Sequence, residues 1–158
     1  MKKKVIFVSS TGGHLKELLQ LEPLILKNNS ILITEKTKSN IHYKGDSRFE
    51  KVFLLPYATK SEPLKYIFVF PYNILKSFIL FLNIRPDYII GTGAHTAVPM
   101  CYFAKLFGKK IIYIETYANM KSKSMAGTLV YPIADLFLVQ WESMLELYPN
   151  AKYYGGIF

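Results

Sequence analysis

The chain has 158 residues, 51% of them hydrophobic, and its 20 Lys and Arg outnumber 11 Asp and Glu for a formal charge of +9. That length holds one domain with a single core and is too short for two, and the apolar content excludes a disordered chain. The positive charge points to an anionic partner: nucleic acid, lipid headgroups or a phosphorylated substrate.

Met1-Lys2-Lys3-Lys4 followed by Val5-Ile6-Phe7-Val8 looks superficially like the start of a signal peptide. Four apolar residues are too few for its hydrophobic region, so residues 4–9 read as a first strand with a basic lead-in. The strand empties into Ser10-Thr11-Gly12-Gly13-His14. A helix follows, with Leu15, Leu18, Leu19 and Leu26 marking its buried face, and ends near Asn28-Asn29. Ile31 to Thr34 reads as a second strand, residues 36–50 as a polar, basic and mobile loop, and Val52 to Leu55 as a third strand stopped by Pro56.

The run from Tyr66 to Ile84 nears the length of a membrane span, about 20 residues. Pro71, Asn73, Lys76 and Asn83 interrupt it and make a span the least favoured reading. On a helical wheel Lys65, Lys76 and Asn83 share one narrow face, while Phe68, Leu75, Ile79 and Leu82 lie away from it. Two readings stay open: a helix packed on the sheet, and one lying in a headgroup region, with Phe68, Phe70, Leu75, Phe78 and Ile79 as candidate membrane contacts.

Strand four, Tyr88 to Ile90, runs into Gly91-Thr92-Gly93-Ala94-His95-Thr96 and then a helix from about Thr96 to Phe107, with Gly108 as the C′ residue. Strand five spans Lys110 to Ile114, a short helix about Lys123 to Tyr131, and strand six Leu136 to Val139. Gln140 to Leu147 reads as a further helix and residues 152–154 as a last edge strand. Alternating strands and helices predict an α/β fold, a Rossmann-like mainly parallel sheet with helices on both faces. One cysteine, Cys101, rules out an internal disulfide and fits a reducing cytoplasm.

Two strand-glycine-helix junctions carry the chemistry. Each is expected to turn backbone N–H groups toward one spot at the carboxyl end of the sheet, where anions and ligands bind. Neither junction matches a dinucleotide fingerprint or a Walker loop. Ser10, Thr11, Gly12, Gly13, Gly91, Thr92, Gly93, His95 and Thr96 are therefore the candidate anion-binding residues. His14 falls in the first turn of its helix, whose dipole disfavours the imidazolium, leaving a neutral ring able to act as a general base. A purely local hydrogen-bonding role for it stays open. For His95, ligand positioning is favoured over catalysis. Glu115, just past strand five, is placed to face the crevice, where it orients His14, binds hydroxyls or takes the proton; a helix-capping or surface role is its alternative. Asp135 falls at the opposite end of the sheet. Three scattered His and one Cys have no metal-ligand spacing, and neither a metal nor a cofactor is expected.

Ser10-Thr11-Gly12-Gly13-His14, Gly91-Thr92-Gly93 with Val98-Pro99, Ile114-Glu115-Thr116 and the run Tyr131 to Trp141 recur in that order in one family. The chain resembles the membrane-associated subunit of the split UDP-N-acetylglucosamine transferase that extends dolichol-linked oligosaccharide. It also resembles bacterial relatives of the PssD type in capsule and exopolysaccharide synthesis. The motif order is similar to the acceptor half of the MurG transferase.

The resemblance implies a single GT-B amino-terminal acceptor domain over residues 1–158 that binds a polyprenyl-diphosphate-linked sugar at the inner face of the cell membrane. A separate donor-binding subunit brings the UDP-sugar. The pair is an inverting transferase, inactive from this chain alone, with His14 or Glu115 as base. An apolar carboxyl-terminal tail, residues 152–158, is expected to dock the partner through Tyr154, Gly155, Gly156, Ile157 and Phe158. Relatives often carry an Arg after the Glu-Ser/Thr segment. This chain has Tyr117-Ala118-Asn119-Met120 there, with Lys121 or Lys123 as substitutes. Eukaryotic members have an amino-terminal membrane helix, which this chain is expected to lack, leaving attachment to surface residues. A non-catalytic scaffold for the real enzyme is the rival reading. Nucleic acid is ranked below both, because the lysines are spread and no recognition motif is present.

Overall fold

The computed structural model describes residues 2–59 and 61–158. Among them seven strands form one sheet: β1 (Lys4–Ser9), β2 (Asn29–Lys36), β3 (Lys51–Pro56), β4 (Tyr88–Gly93), β5 (Lys110–Ile114), β6 (Leu136–Val139) and β7 (Lys152–Tyr153). Their order is β3-β2-β1-β4-β5-β6-β7, and every adjacent pair is parallel. The central strands are continuous runs of Val, Ile and Phe because helices cover both of their faces.

On one face lie α1 (Gly13–Leu19) and α2 (Glu22–Lys27), which contribute Leu15, Leu18 and Ile25 to a core with Phe7, Leu32 and Ile90. On the other lie α3 (Pro63–Ile84), α4 (Ala97–Leu106) and α5 (Met125–Val130). They meet Ile6, Ile33, Ile89 and Ile111. Cys101 sits in this second core, where burial pushes its thiol up to about 12.

The chain after β1 forms two helices, where one was expected. Pro23, in the first turn of α2, has no N–H to continue an incoming helix, so the chain restarts there. The restart changes the helical phase: Ile25 is buried and Leu26 is exposed. Residues 36–50 are more structured than a mobile loop. Ile41–Gly45 forms a 3₁₀ turn, Arg48 binds Asp46 through its guanidinium, and Phe49 packs edge-on to Phe7 in the core. The expected helix at Gln140 to Leu147 is a single 3₁₀ turn, Glu142–Leu145.

The helix α3 spans 22 residues and is long and apolar enough to cross a bilayer, yet one of its faces packs on the protein. Asn73, Ser77, Leu80, Phe81 and Ile84 point inward, and the Asn73 side-chain amide donates to the Pro56 carbonyl at 2.8 Å. Phe68, Leu75, Ile79 and Leu82 lie on the open side. The helix stops where Arg85 takes a left-handed conformation (φ 51) ahead of Pro86, and α4 stops before Gly108 at φ 64.

Of the terminal tail, Tyr154 is exposed, but Ile157 and Phe158 fold back. The Ile157 N–H donates to Gln140 Oε1 at 2.8 Å, and both side chains pack against the α1/α2 core. The tail thus begins as the expected edge strand, exposes Tyr154 and ends anchored, with Ile157 and Phe158 packed on the protein where docking contacts were expected.

Since all strands are parallel, the chain ends of β1, β2, β4 and β5 share one edge. Asp135 lies at the other, where it binds Lys110 Nζ (2.8 Å) and the Ile111 N–H (2.9 Å). Ile6, fully buried in β1 between β2 and β4, tests the core: Ile6→Ala is expected to lower unfolding free energy by about 2–5 kcal/mol. Leu64→Ala on the open side of α3 is expected to stay within about 0.5 kcal/mol. Urea denaturation of the three proteins reads both.

Candidate functional site

The sheet order reverses between β1 and β4: successive strands run outward to β3 on one side and to β7 on the other. Open parallel sheets bind ligands at such a switch point. Both glycine junctions emerge here, and they are bonded to each other. The Ser10 N–H donates to the Gly93 carbonyl (2.8 Å), the Ala94 N–H to Ser10 Oγ (3.0 Å) and the Thr92 hydroxyl to the His14 carbonyl (2.7 Å). A register shift between Val8 and Ser9 sets Ser9 opposite Gly93 and makes these bonds possible.

Glu35, at the end of β2, ties the two junctions a second time. It is fully buried, and it accepts from the Thr11 N–H through Oε2 and from the Thr96 hydroxyl through Oε1, each at 3.0 Å. His95 Nε2 lies 3.0 Å from the same Oε1. No motif marks Glu35 in the sequence. Its signal is an acid at the end of a strand that is otherwise buried, Ile31-Leu32-Ile33-Thr34.

These bonds revise the expected anion cradle. The N–H groups of Ser10, Thr11 and Ala94 serve the protein itself, and Ser10, Gly91, Thr92 and Thr96 are buried. They shape the site and do not face it. Gly12 and Gly13 stay exposed at the start of α1.

Next to the stitched junctions is a cleft of about 490 Å³. Of the candidate residues, His14, Gly93, His95 and Phe70 line it, joined by Tyr66, Tyr113, Ser124 and Leu129. Gly93 cannot carry a side chain. Its φ is 107°, and a Cβ would stand 3.1 Å from His14 Nδ1 and 3.3 Å from the Tyr113 hydroxyl. The His95 ring meets Tyr66 and Phe70 edge to face, with centroids 5.6 and 6.0 Å away. His14 is less closely partnered: Nδ1 is buried without a hydrogen bond, and Glu17 Oε2 lies 3.8 Å off. Phe78, a candidate membrane contact, packs instead on Phe103 at 5.1 Å. A larger groove of about 690 Å³ runs along the outer strand β3, lined by Lys36, Lys44, Lys65 and Lys76, away from both histidines.

Glu115 does not face the cleft as expected. It is 1% exposed, its Oε1 accepts from the Thr116 N–H, and its Oε2 accepts from the Tyr148 hydroxyl (2.8 Å) and the Ser124 hydroxyl (3.0 Å). Ser124 Oγ in turn caps α5 by accepting from the Gly127 N–H. A Cβ at Gly127 would meet Glu115 and come within 2.6 Å of the Tyr148 oxygen, so any larger residue there has to displace this network. Glu115 therefore anchors the α5 wall from beneath by holding the capping Ser124, neither facing the cleft nor capping the helix itself.

A parallel sheet of this order, with a ligand-sized cleft at the switch point, is the Rossmann-like half of a GT-B-like fold. The fold superposes on MurG from Acinetobacter baumannii with a TM-score of 0.72, over 97% of this chain and 45% of that one, at 14% identity. UDP-N-acetylglucosamine 2-epimerase from Rickettsia bellii gives 0.72 over 99% and 46%, at 12% identity. The chain spans about half the length of these structures, and the likeness speaks for the fold alone. Sequence goes further: the family described as oligosaccharide biosynthesis protein Alg14 like matches residues 4–157, and the chain belongs to the Alg14 family. It is 34% identical to the Homo sapiens UDP-N-acetylglucosamine transferase subunit ALG14, over 97% of this chain and 82% of that protein. The Rattus norvegicus subunit is 32% identical over 96% and 68%.

The polar support beneath α5 has a pH signature. Burial first, then the charge of Glu115, pushes the Tyr113 and Tyr148 hydroxyls far above the usual tyrosine range. In the unfolded chain both ionise near about pH 10. The native state keeps its proton, so this contribution is intact below that pH and is lost as pH rises above it. Urea unfolding from about pH 9 to about pH 11 should show a shallower loss of stability in Tyr148→Phe than in wild type, by up to about 1.4 kcal/mol per pH unit. Equal slopes would show that Tyr148 ionises normally in the fold.

Proposed function

We propose that the chain is the acceptor-binding and membrane-recruiting subunit of a two-component, inverting glycosyltransferase. Within it, a sugar moves from a UDP-sugar to a polyprenyl-diphosphate-linked saccharide, in capsular or exopolysaccharide synthesis, at the cytoplasmic face of the membrane. One observation carries this reading: α3 serves the cleft and the outside at once. Tyr66 and Phe70 line the cleft, while Ile67, Phe68, Tyr72, Leu75 and Ile79 of the same helix are exposed. So many large apolar side chains on one helix face mark an interaction surface, and a lipid-linked acceptor lying along α3 passes from bilayer to cleft without crossing water. The lysine groove beside β3 supplies charge for headgroup phosphates.

The relatives' name, UDP-N-acetylglucosamine transferase subunit, supports a nucleotide sugar held by a second subunit. Exposed Tyr154, with Gly155 and Gly156 and the tail end packed behind them, is the proposed docking point for that donor-binding partner. Tyr117 stacks near Trp141 beside it and extends the aromatic surface.

The chain alone is expected to transfer no N-acetylglucosamine from UDP-N-acetylglucosamine to a polyprenyl-diphosphate saccharide, and addition of a donor-binding partner is expected to restore transfer. Robust transfer by the isolated chain would overturn the division of labour. For the membrane, Phe68→Asp with Leu75→Asp should keep the fold and weaken sedimentation with anionic vesicles at least tenfold. Each lost apolar insertion is worth about 1.5–3 kcal/mol. Undiminished sedimentation would remove α3 from membrane contact.

A further inference from the structure

We propose that His95 takes the proton from the acceptor hydroxyl and that Glu35 is its positioning residue, an assignment that rests on the acceptor reading above. The two glycine junctions look alike in sequence, but their histidines differ in what stands behind them. His95 Nε2 is 3.0 Å from a carboxylate oxygen of Glu35. A nitrogen lone pair that close to a carboxylate would be repelled, so Nε2 carries the proton and Nδ1 the lone pair. The Thr11 N–H and the Thr96 hydroxyl donate to Glu35 and hold it in place. Tyr66 and Phe70 fix the plane of the imidazole from the cleft side.

His14 lacks that arrangement. The nearest carboxylate oxygen to its Nδ1 is 3.8 Å away, and Nδ1 itself is buried and unbonded. The other oxygen of that carboxylate, Glu17 Oε1, is engaged by the Thr116 hydroxyl and the Tyr117 N–H. Glu115 is excluded by its burial and its full set of donors.

In the transfer, the acceptor oxygen attacks the anomeric carbon of the nucleotide sugar. The bond from that carbon to the phosphate oxygen breaks, and the nucleoside diphosphate leaves with the electron pair. The hydroxyl proton passes to His95 Nδ1. The resulting imidazolium lies against the Glu35 carboxylate, so its charge is matched as it forms. The proton then passes to water, restoring the neutral ring.

The test uses the chain paired with a donor-binding partner, with UDP-N-acetylglucosamine and a polyprenyl-diphosphate saccharide as substrates. His95→Gln is expected to lower kcat by about 100-fold or more and to leave the acceptor KM within about threefold, the pattern of a lost proton acceptor. Glu35→Gln is expected to lower kcat less, and Glu35→Asp to recover part of it. An active wild-type pair in which His95→Gln keeps its kcat overturns the assignment alone. An inactive wild-type pair overturns the acceptor reading and the assignment with it. A second measurement needs no partner: imidazole ¹⁵N spectra of the isolated chain should show His95 protonated on Nε2 and bare on Nδ1. A proton found on Nδ1 overturns the assignment.

Discussion

A carboxylate without access to water sits where two chain reversals meet, and the geometry of the ligand edge depends on its donors. After relaxation, burying an ionised Glu costs several kcal/mol, and a hydrogen bond to a charged group returns about 1.5–3 kcal/mol. Glu35 accepts from the Thr11 N–H and the Thr96 hydroxyl, and His95 Nε2 stands 3.0 Å from it. The carboxylate thus couples β2, the end of β1 and the start of α4 into one arrangement. The direct bonds between Ser10, Gly93 and Ala94 reinforce the same geometry. A histidine mounted on such a frame points in one direction.

The opposite wall of the cleft uses the same device. Glu115 is as inaccessible as Glu35, and the hydroxyls of Ser124 and Tyr148 with the Thr116 N–H satisfy it. Here, though, no histidine is attached, and the network stabilises the start of α5, which brings Ser124 and Leu129 to the cleft. Two buried acids at the ends of β2 and β5, with β1 and β4 between them, therefore do different work: one stands behind a ring that lines the cleft, the other supports the α5 wall. What separates them is whether a titratable side chain stands between the carboxylate and the open space.

The cleft and the outer surface meet in α3. Its inward face carries Asn73 and Ser77 along with Leu80, Phe81 and Ile84, and its outward face sets Ile67, Phe68, Leu75 and Ile79 beside the exposed Lys65 and Asn83. Apolar side chains on both its packed and its exposed side explain why composition alone left this segment between a core helix and an interfacial one.

Much of the fold was legible in the chain. Val5 to Val8, Ile31 to Thr34 and Ile111 to Ile114 are short apolar runs closed by turn or polar residues, and the strands stand where those runs lie. The alternation of strand and helix, with glycine after β1 and β4, determined a parallel α/β sheet with a ligand edge, because period and punctuation are local properties of a sequence. His14, Gly93 and His95 could be placed at that edge for the same reason. Pairings across the fold could not be read this way. Ser10 bonds to Ala94 across 84 positions and Glu35 to Thr96 across 61, and neither separation leaves a periodic trace. Only the packed sheet decided that Glu35 stands behind His95, that Glu115 is enclosed, and that Asn73 and Ser77 of α3 turn inward, because each depends on which strands become neighbours.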